Sequence, residues 1–286
     1  MNPRVAFEAE NILGEGPLWS ANRQGLYWID IKGPSLHFWS PSTGESQRWP
    51  LPQFVGSMAE TKQGDILLAL QQGFYQMNLA DGPLTHLGDP EPEQPQHRFN
   101  DGKCDPWGNF WAGSMHLNES DPVGTLYRLR PSGKWEAIRS GATVSNGLDW
   151  SPDRKTMYYT DSGAQAIYAI DIDPSNGDWK AERVLIRDTD CYPDGLAVDS
   201  EGFIWGAKWD GWRVVRYAPT GEIDRIIELP IQRPTSVMFG GPDLKQLYIT
   251  SASDRLSEEE LAKQPDAGNL FVIDVEIAGQ SPNVFG

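Results

Sequence analysis

Six copies of one short-strand pattern, spaced 40, 44, 47, 47 and 43 residues apart with almost no helical periodicity between them, predict an all-β chain folded as a six-bladed β-propeller. Each copy runs from a polar, turn-prone residue through a short stretch ending in an acid or aromatic. A turn holding Gly or Asp follows, then an apolar run carrying an aromatic. The copies align on Tyr27, Leu67, Trp111, Tyr158, Trp205 and Tyr248. Six such units fill residues 1–286 as a single domain. An α/β sheet is excluded, because it needs amphipathic helices of about 10 to 15 residues between its strands.

In chain order, RVAFEAE near the N-terminus is expected to lie beside the C-terminal strand NLFVIDVEI and close the ring, since an open sheet edge is an aggregation hazard. The blade strands read as GLYWID (25–30), DILLAL (65–70), NFWAGSM (109–115), TMYYTD (156–161), FIWGAK (203–208) and QLYITS (246–251). Hairpin turns between outer strands fall at PSTGE (41–45), PSGK (131–134), PSNGD (174–178) and PTGE (219–222). The Pro-rich stretch 89–98 is expected to be a long loop that delivers Arg98 next to Asn100. One helix is expected at 257–263, where Ser257 and Glu260 form a capping box ahead of Leu261.

With 39% hydrophobic residues, 12 Trp, 10 Phe and 9 Tyr, the chain has ample material for a core. No stretch approaches the ~18 to 20 apolar residues that a membrane span requires, and the N-terminus lacks the pattern of a secretory signal. The expectation is a cytoplasmic protein, a monomer, with no membrane partner. A net charge of -16 disfavours nucleic acid as a partner, because phosphates demand clustered Lys and Arg. Cys104 and Cys191 have no metal-binding spacing and are too few for a disulfide framework, so both read as small buried residues.

Counting back 11 or 12 residues from four of the anchors lands on Glu15, Asn100, Asn146 and Asp194. Read singly, Asn146-Gly147 and Pro193-Asp194-Gly195 are turn signals, and Gly-Glu-Gly-Pro around Glu15 is a surface loop. Taken together they occupy one register of the repeat, and equal registers converge on the central channel of a propeller. The second and sixth copies carry Val55 and Pro234-Thr235 there, so the oxygen-rich arrangement is not a demand of the fold. Oxygen donors alone suit Ca²⁺, Mg²⁺ or Mn²⁺ better than soft-ligand metals. A Glu, an Asn and an Asp as three protein ligands would leave coordination positions open for water and substrate. The four histidines, His37, His86, His97 and His116, show no zinc spacing, and neither a G-x-S-x-G elbow nor a phosphate-binding glycine loop is present.

LGEGPLW (13–19), RFNDGKCDPWGNFWAGSM (98–115), SNGLDWSPD (145–153) and YPDGLAVDSEGFIWGA (192–207) resemble, in order and spacing, four segments of the regucalcin and gluconolactonase family of metal-dependent, senescence marker protein-like sugar lactonases. The resemblance runs from about residue 7 to the C-terminus. It implies one divalent cation in the central channel, drawn from Ca²⁺, Mn²⁺, Zn²⁺, Mg²⁺ and Fe²⁺. Its metal ligands fall on Glu15, Asn146 and Asp194, and its catalytic proton acceptor and donor on Asp194. Its substrate-binding arginine and asparagine fall on Arg98 and Asn100. Family members often carry a substrate-contacting glutamate three residues after the methionine of the AGSM-like segment (112–115); that place is Asn118 here, with Glu119 following. Asn118 is therefore the third expected substrate contact, and either it or Glu119 meets the sugar.

The activity so implied is hydrolysis of a pentono- or hexonolactone to the open-chain sugar acid. Two ways to activate water remain: Asp194 as base, or a metal-bound hydroxide with Asp194 as ligand only. A related propeller hydrolase of aryl esters or organophosphates, and a non-catalytic calcium-binding or docking module, are the alternatives, because a fold alone implies no activity.

Overall fold

The computed structural model describes residues 2–80 and 83–286. After β1 (Arg4–Phe7), the first blade holds β2 (Gly14–Ser20), β3 (Gly25–Asp30), β4 (Ser35–Trp39) and β5 (Ser46–Pro50). The second holds β6 (Val55–Glu60), β7 (Ile66–Leu70), β8 (Gly73–Met77) and β9 (Leu84–Gly88). The third holds β10 (His97–Cys104), β11 (Phe110–His116), β12 (Gly124–Leu129) and β13 (Trp135–Ala142). The fourth holds β14 (Ser145–Trp150), β15 (Thr156–Asp161), β16 (Ala166–Ile172) and β17 (Trp179–Arg187). The fifth holds β18 (Tyr192–Val198), β19 (Ile204–Trp209), β20 (Arg213–Tyr217) and β21 (Ile223–Glu228). The sixth holds β22 (Pro234–Gly240), β23 (Gln246–Ser251) and β24 (Leu270–Asp274), with β1 at its outer edge.

Each blade is a four-stranded antiparallel meander, and its first strand is the innermost. The inner strands pack side by side in the order β2, β6, β10, β14, β18, β22, and β22 returns to β2, so the ring is closed. The N-terminal strand provides the clasp: Arg4 pairs with Val272 and Val5 with Phe271, as the edge argument expects. The fold is thus the six-bladed propeller read from the period.

The core lies in the wedges between blades. One buried cluster joins Trp111 and Leu126 of the third blade to Trp150, Met157 and Ile170 of the fourth. Another joins Trp205 and Val214 of the fifth to Val237, Phe239 and Ile249 of the sixth. The repeated polar residue ahead of each Gly turn has a structural reason in two blades. Asp105 is fully buried and accepts the backbone N–H groups of Trp107 and Asn109 and the indole N–H of Trp111. Asp199 does the same for Glu201, Phe203 and Trp205. One carboxylate thereby fixes the turn between first and second strands and orients the aromatic that fills the next wedge.

The helix α1 (Glu258–Lys263) forms with Ser257 as N-cap and the reciprocal Glu260 bond. Both cysteines are buried free thiols, and burial raises the Cys104 thiol well above its ordinary range. No helix among the described residues is long and apolar enough to cross a membrane. Two local expectations change. β10 already begins at His97, so Arg98 is on the inner strand and not in a loop. Asn146-Gly147 and Pro193-Asp194-Gly195 are not turns: they lie inside β14 and β18, where the pairing slips between Asn146 and Leu148 and between Pro193 and Leu196.

The C-terminal segment was not anticipated. Beyond β24 it runs across one face of the ring: Gln280 Nε2 donates to Trp150 O and Val198 O, Asn283 Nδ2 to Cys104 O, and Phe285 N to Glu60 O. It roofs a cavity of about 400 Å³ at that end of the channel, walled by Asp101, Lys103 and Asp149 among others.

Candidate active site

A second cavity, about 370 Å³, opens at the other end of the channel as a front cavity opposite the back chamber under the C-terminal segment, and Glu15, Arg98, Asn100, Asn146 and Asp194 all line it. They come from four blades. Each of the four oxygen-bearing residues Glu15, Asn100, Asn146 and Asp194 is only 5% exposed. What turns them into the channel is a β-bulge, present in their inner strands between Glu15 and Leu18, Phe99 and Gly102, Asn146 and Leu148, and Pro193 and Leu196. A bulge inserts an unpaired residue and re-aims its side chain away from the ladder. Glycine after the bulged residue permits the inner strands to approach: a Cβ on Gly147 would stand 2.5 Å from Asp194 O.

The polar side chains are held by few partners. Arg98 Nη1 donates to Asn100 Oδ1 at 2.6 Å and to Phe99 O at 3.0 Å, and Asn100 Nδ2 donates to Ser145 O at 2.8 Å. Asn146 Nδ2 donates to Ser162 Oγ at 3.0 Å, and that hydroxyl donates to Pro193 O at 2.6 Å. Ser162 therefore fixes the Asn146 amide with its oxygen side turned away from that contact. Glu15 Oε2 accepts from Gly16 N at 2.8 Å.

Two carboxylates buried this close cannot both be charged without compensation. Burial raises both Glu15 and Asp194 well above the usual carboxylate range; the Asp194 charge adds to this for Glu15, and the Asp101 charge does so for both. Asp101 itself is pushed up to about 6 by burial, against the pull of Lys103. Burial lowers Arg98 from its ordinary value, against the charges of Glu119 and Glu15.

Asn146 Oδ1 and Asp194 Oδ1 are buried and make no hydrogen bond. An amide oxygen and a carboxylate oxygen left unpaired beside a second buried carboxylate are what a hard divalent cation satisfies. The residues present thus fit the group. No trio of His, Cys, Asp or Glu is disposed to hold a metal among the described residues, so a cation bound here would need the Asn146 amide oxygen as well.

Asn118 lies on the cavity wall, but its side chain is engaged in its own loop: Oδ1 accepts from Ser120 N and Asp121 N, and Nδ2 donates to Asp121 Oδ2 at 2.9 Å. Glu119 next to it has φ +58° and forms an ion pair of 2.7 Å with Arg255, a residue of the loop between β23 and α1. Tyr192, Trp209, Arg233 and Arg255 complete the outer wall. None of these, nor Asp101 or Ser162, was picked out by the repeat. For Asp101 a signal existed in its place between Asn100 and the bulge glycine; the loop residues have no fixed register to betray them.

Residues 13–253 match the SMP-30/Gluconolactonase/LRE-like region family model. The chain belongs to this family. It is 38% identical over 278 residues to a 6-deoxy-6-sulfogluconolactonase of Pseudomonas putida, covering 96% of this chain and 95% of that one. Identity to regucalcin of Xenopus laevis is 36% over 282 residues, covering 96% of this chain and 94% of the other. Among solved structures, a calcium-binding protein, regucalcin, of Agrobacterium tumefaciens superposes with a TM-score of 0.95 at 28% identity, over 99% of this chain and 97% of that chain.

Proposed function

We propose that the protein is a metal-dependent hydrolase that opens a pentono- or hexonolactone to the sugar acid, with Glu15, Asn146 and Asp194 as cation ligands and Asp194 as the proton-transfer group. That it is a lactonase follows from its family and from its full-length similarity to one. The observation that carries the finer reading is the pair of unpartnered buried oxygens, Asn146 Oδ1 and Asp194 Oδ1, on the wall of the front cavity. A divalent cation held there would act as a Lewis acid towards the lactone carbonyl.

The chain's own groups do the rest. Arg98 uses Nη1 on Asn100 and Phe99, so its remaining guanidinium donors are available to hold the carbonyl oxygen as negative charge develops there. Asn100, fixed by Arg98 and Ser145 O, orients the ring. The Asp194 carboxylate takes a proton from the water that attacks the carbonyl carbon, and returns it to the ring oxygen as the C–O bond breaks. The product is a hydroxy acid, which ionises and releases one proton to solvent. Asn118 sets the loop that carries Glu119 to the wall, and we assign the substrate contact to that loop. A cytoplasmic, small-molecule enzyme suits this chemistry.

The decisive experiment is a pH-stat panel of aldonolactones with chelator-stripped protein, restoring Ca²⁺, Mn²⁺, Zn²⁺, Mg²⁺ and Fe²⁺ one at a time. Turnover that disappears with the chelator and returns with one or more cations is the expected result. Undiminished turnover in the stripped protein would remove the metal dependence, and no turnover under any condition would leave only a binding module.

A further inference from the structure

Resting on the lactonase reading, we infer that the preferred lactone carries a terminal oxyanion at the end remote from its carbonyl, and that Arg255 binds that group. The protein as a whole has a net charge of -16, yet the wall of the front cavity gathers Arg98, Arg233 and Arg255. Two of the three are committed elsewhere. Arg98 is buried and braces Asn100. Arg233 donates Nε to Asp210 at 2.6 Å, donates Nη1 to Asp254 O, and lies over the Trp209 ring at 4.9 Å.

Arg255 differs in both exposure and partners. Its side chain is 53% exposed although it lines the cavity, and its ionic contacts are Glu119 at 2.7 Å and Asp254 at 3.5 Å. Asp254 is already engaged by Lys32 at 2.6 Å. On this wall Arg98, Arg233 and Arg255 are matched in number by Asp210, Asp254 and Glu119, and Lys32, which lies off the wall, takes up Asp254, so the close carboxylate left to Arg255 is Glu119. Glu15 and Asp194 would match a divalent cation.

Position supports the same assignment. Arg255 lines the same cavity as Asp194 and Arg98, and we place the remote end of a lactone whose carbonyl is at Asp194 against Arg255. Both members of the Glu119–Arg255 pair have left-handed backbone, φ +58° and +60°. A phosphate, sulfonate or carboxylate would replace Glu119 as the partner of the guanidinium, with bidentate geometry available to it.

The test compares kcat/KM of the metal-loaded enzyme on the 1,5-lactones of gluconate, 6-phosphogluconate and glucarate, for wild type, Arg255→Gln, Arg255→Lys and Glu119→Gln. Wild type is expected to prefer an anionic lactone, the two anionic arms telling phosphate from carboxylate. Arg255→Gln should lower the anionic-to-neutral ratio by about 10- to 100-fold, the loss expected for one charged hydrogen-bond partner. Arg255→Lys should fall between, and Glu119→Gln should raise the ratio. A wild-type preference for the neutral lactone, or a ratio unmoved by Arg255→Gln, overturns the inference and leaves the lactonase reading intact. Failure to hydrolyse these three and every lactone of the aldonolactone panel with any cation overturns both.

Discussion

His37 lies in β4 with its ring stacked on Trp28, centroids 5.0 Å apart, and Nε2 is 2.9 Å from Ser35 Oγ. Burial, reinforced by Arg48, lowers its pKa from 6.5 to about 4. A histidine depressed in the folded state binds its proton more tightly when unfolded. Its contribution is therefore intact above pH 6.5 and is lost as pH falls towards 4, a total of roughly 3 kcal/mol. Urea unfolding at pH 7 and pH 5 should show wild type losing more stability than His37→Gln; equal losses would show that His37 is not the group responsible. At Asp194 the prediction separates activity from folding. Asp194→Asn should lose about 10²- to 10⁴-fold in rate, as expected for a proton-transfer group. In the chelated protein it should raise Tm, because one of two adjacent buried carboxylates is gone. A variant that kept cation affinity and more than half the rate would reduce Asp194 to a bulge residue.

At the scale of the element, the inner strands are where sequence and site meet. The bulge in β14 and the one in β18 lie against each other through Gly147, whose added Cβ would meet Asp194 O at 2.5 Å and Leu196 N at 2.6 Å, both backbone atoms that cannot swing aside. Gly147→Ala is expected to destabilise by about 1 to 3 kcal/mol through overpacking, and to depress kcat more than KM by moving Asp194 relative to Asn146. Thermal unfolding with kinetics on one lactone checks this; a stable variant with unchanged kcat would show that the strands can slide without cost to the site. The bulges also explain why turn chemistry misleads here. Asn-Gly and Asp-Gly are chosen for backbone freedom in hairpins, and a bulge asks for similar freedom while keeping the strand going.

For the whole molecule, the strap formed by the last residues ties blades together that are distant in sequence. Through Gln280, Asn283, Phe285 and Gly286 it bonds to the fifth, fourth, third and second blades, in addition to the clasp that β1 makes on the sixth. Removing residues 277–286 should lower Tm by about 5 to 10 °C, from several hydrogen bonds worth roughly 0.5 to 1.5 kcal/mol each. We propose that the chain is a single domain, for which calorimetry should show one cooperative transition. A truncated protein melting within 2 °C of full length, about the effect of less than 1 kcal/mol, would show the strap to be passive.

The period, the order of strands, the clasp at the ends and the four convergent oxygen residues were all legible in the sequence, because a propeller repeats one unit and equal registers must reach equal heights. Glu15, Asn100, Asn146 and Asp194 could be named from the chain for that reason alone, without any contact being known. The strap, the back chamber and the pairing of Glu119 with Arg255 were not legible. They join loops of unlike length from different blades, and no period constrains where such loops go. Only closure of the ring brings residue 119 beside 255, and only the packed channel leaves Asn146 Oδ1 and Asp194 Oδ1 without partners. Residue type and spacing determined which oxygen-bearing side chains meet in the channel; burial, which is a property of the assembled ring, raised the pKa values of Glu15 and Asp194.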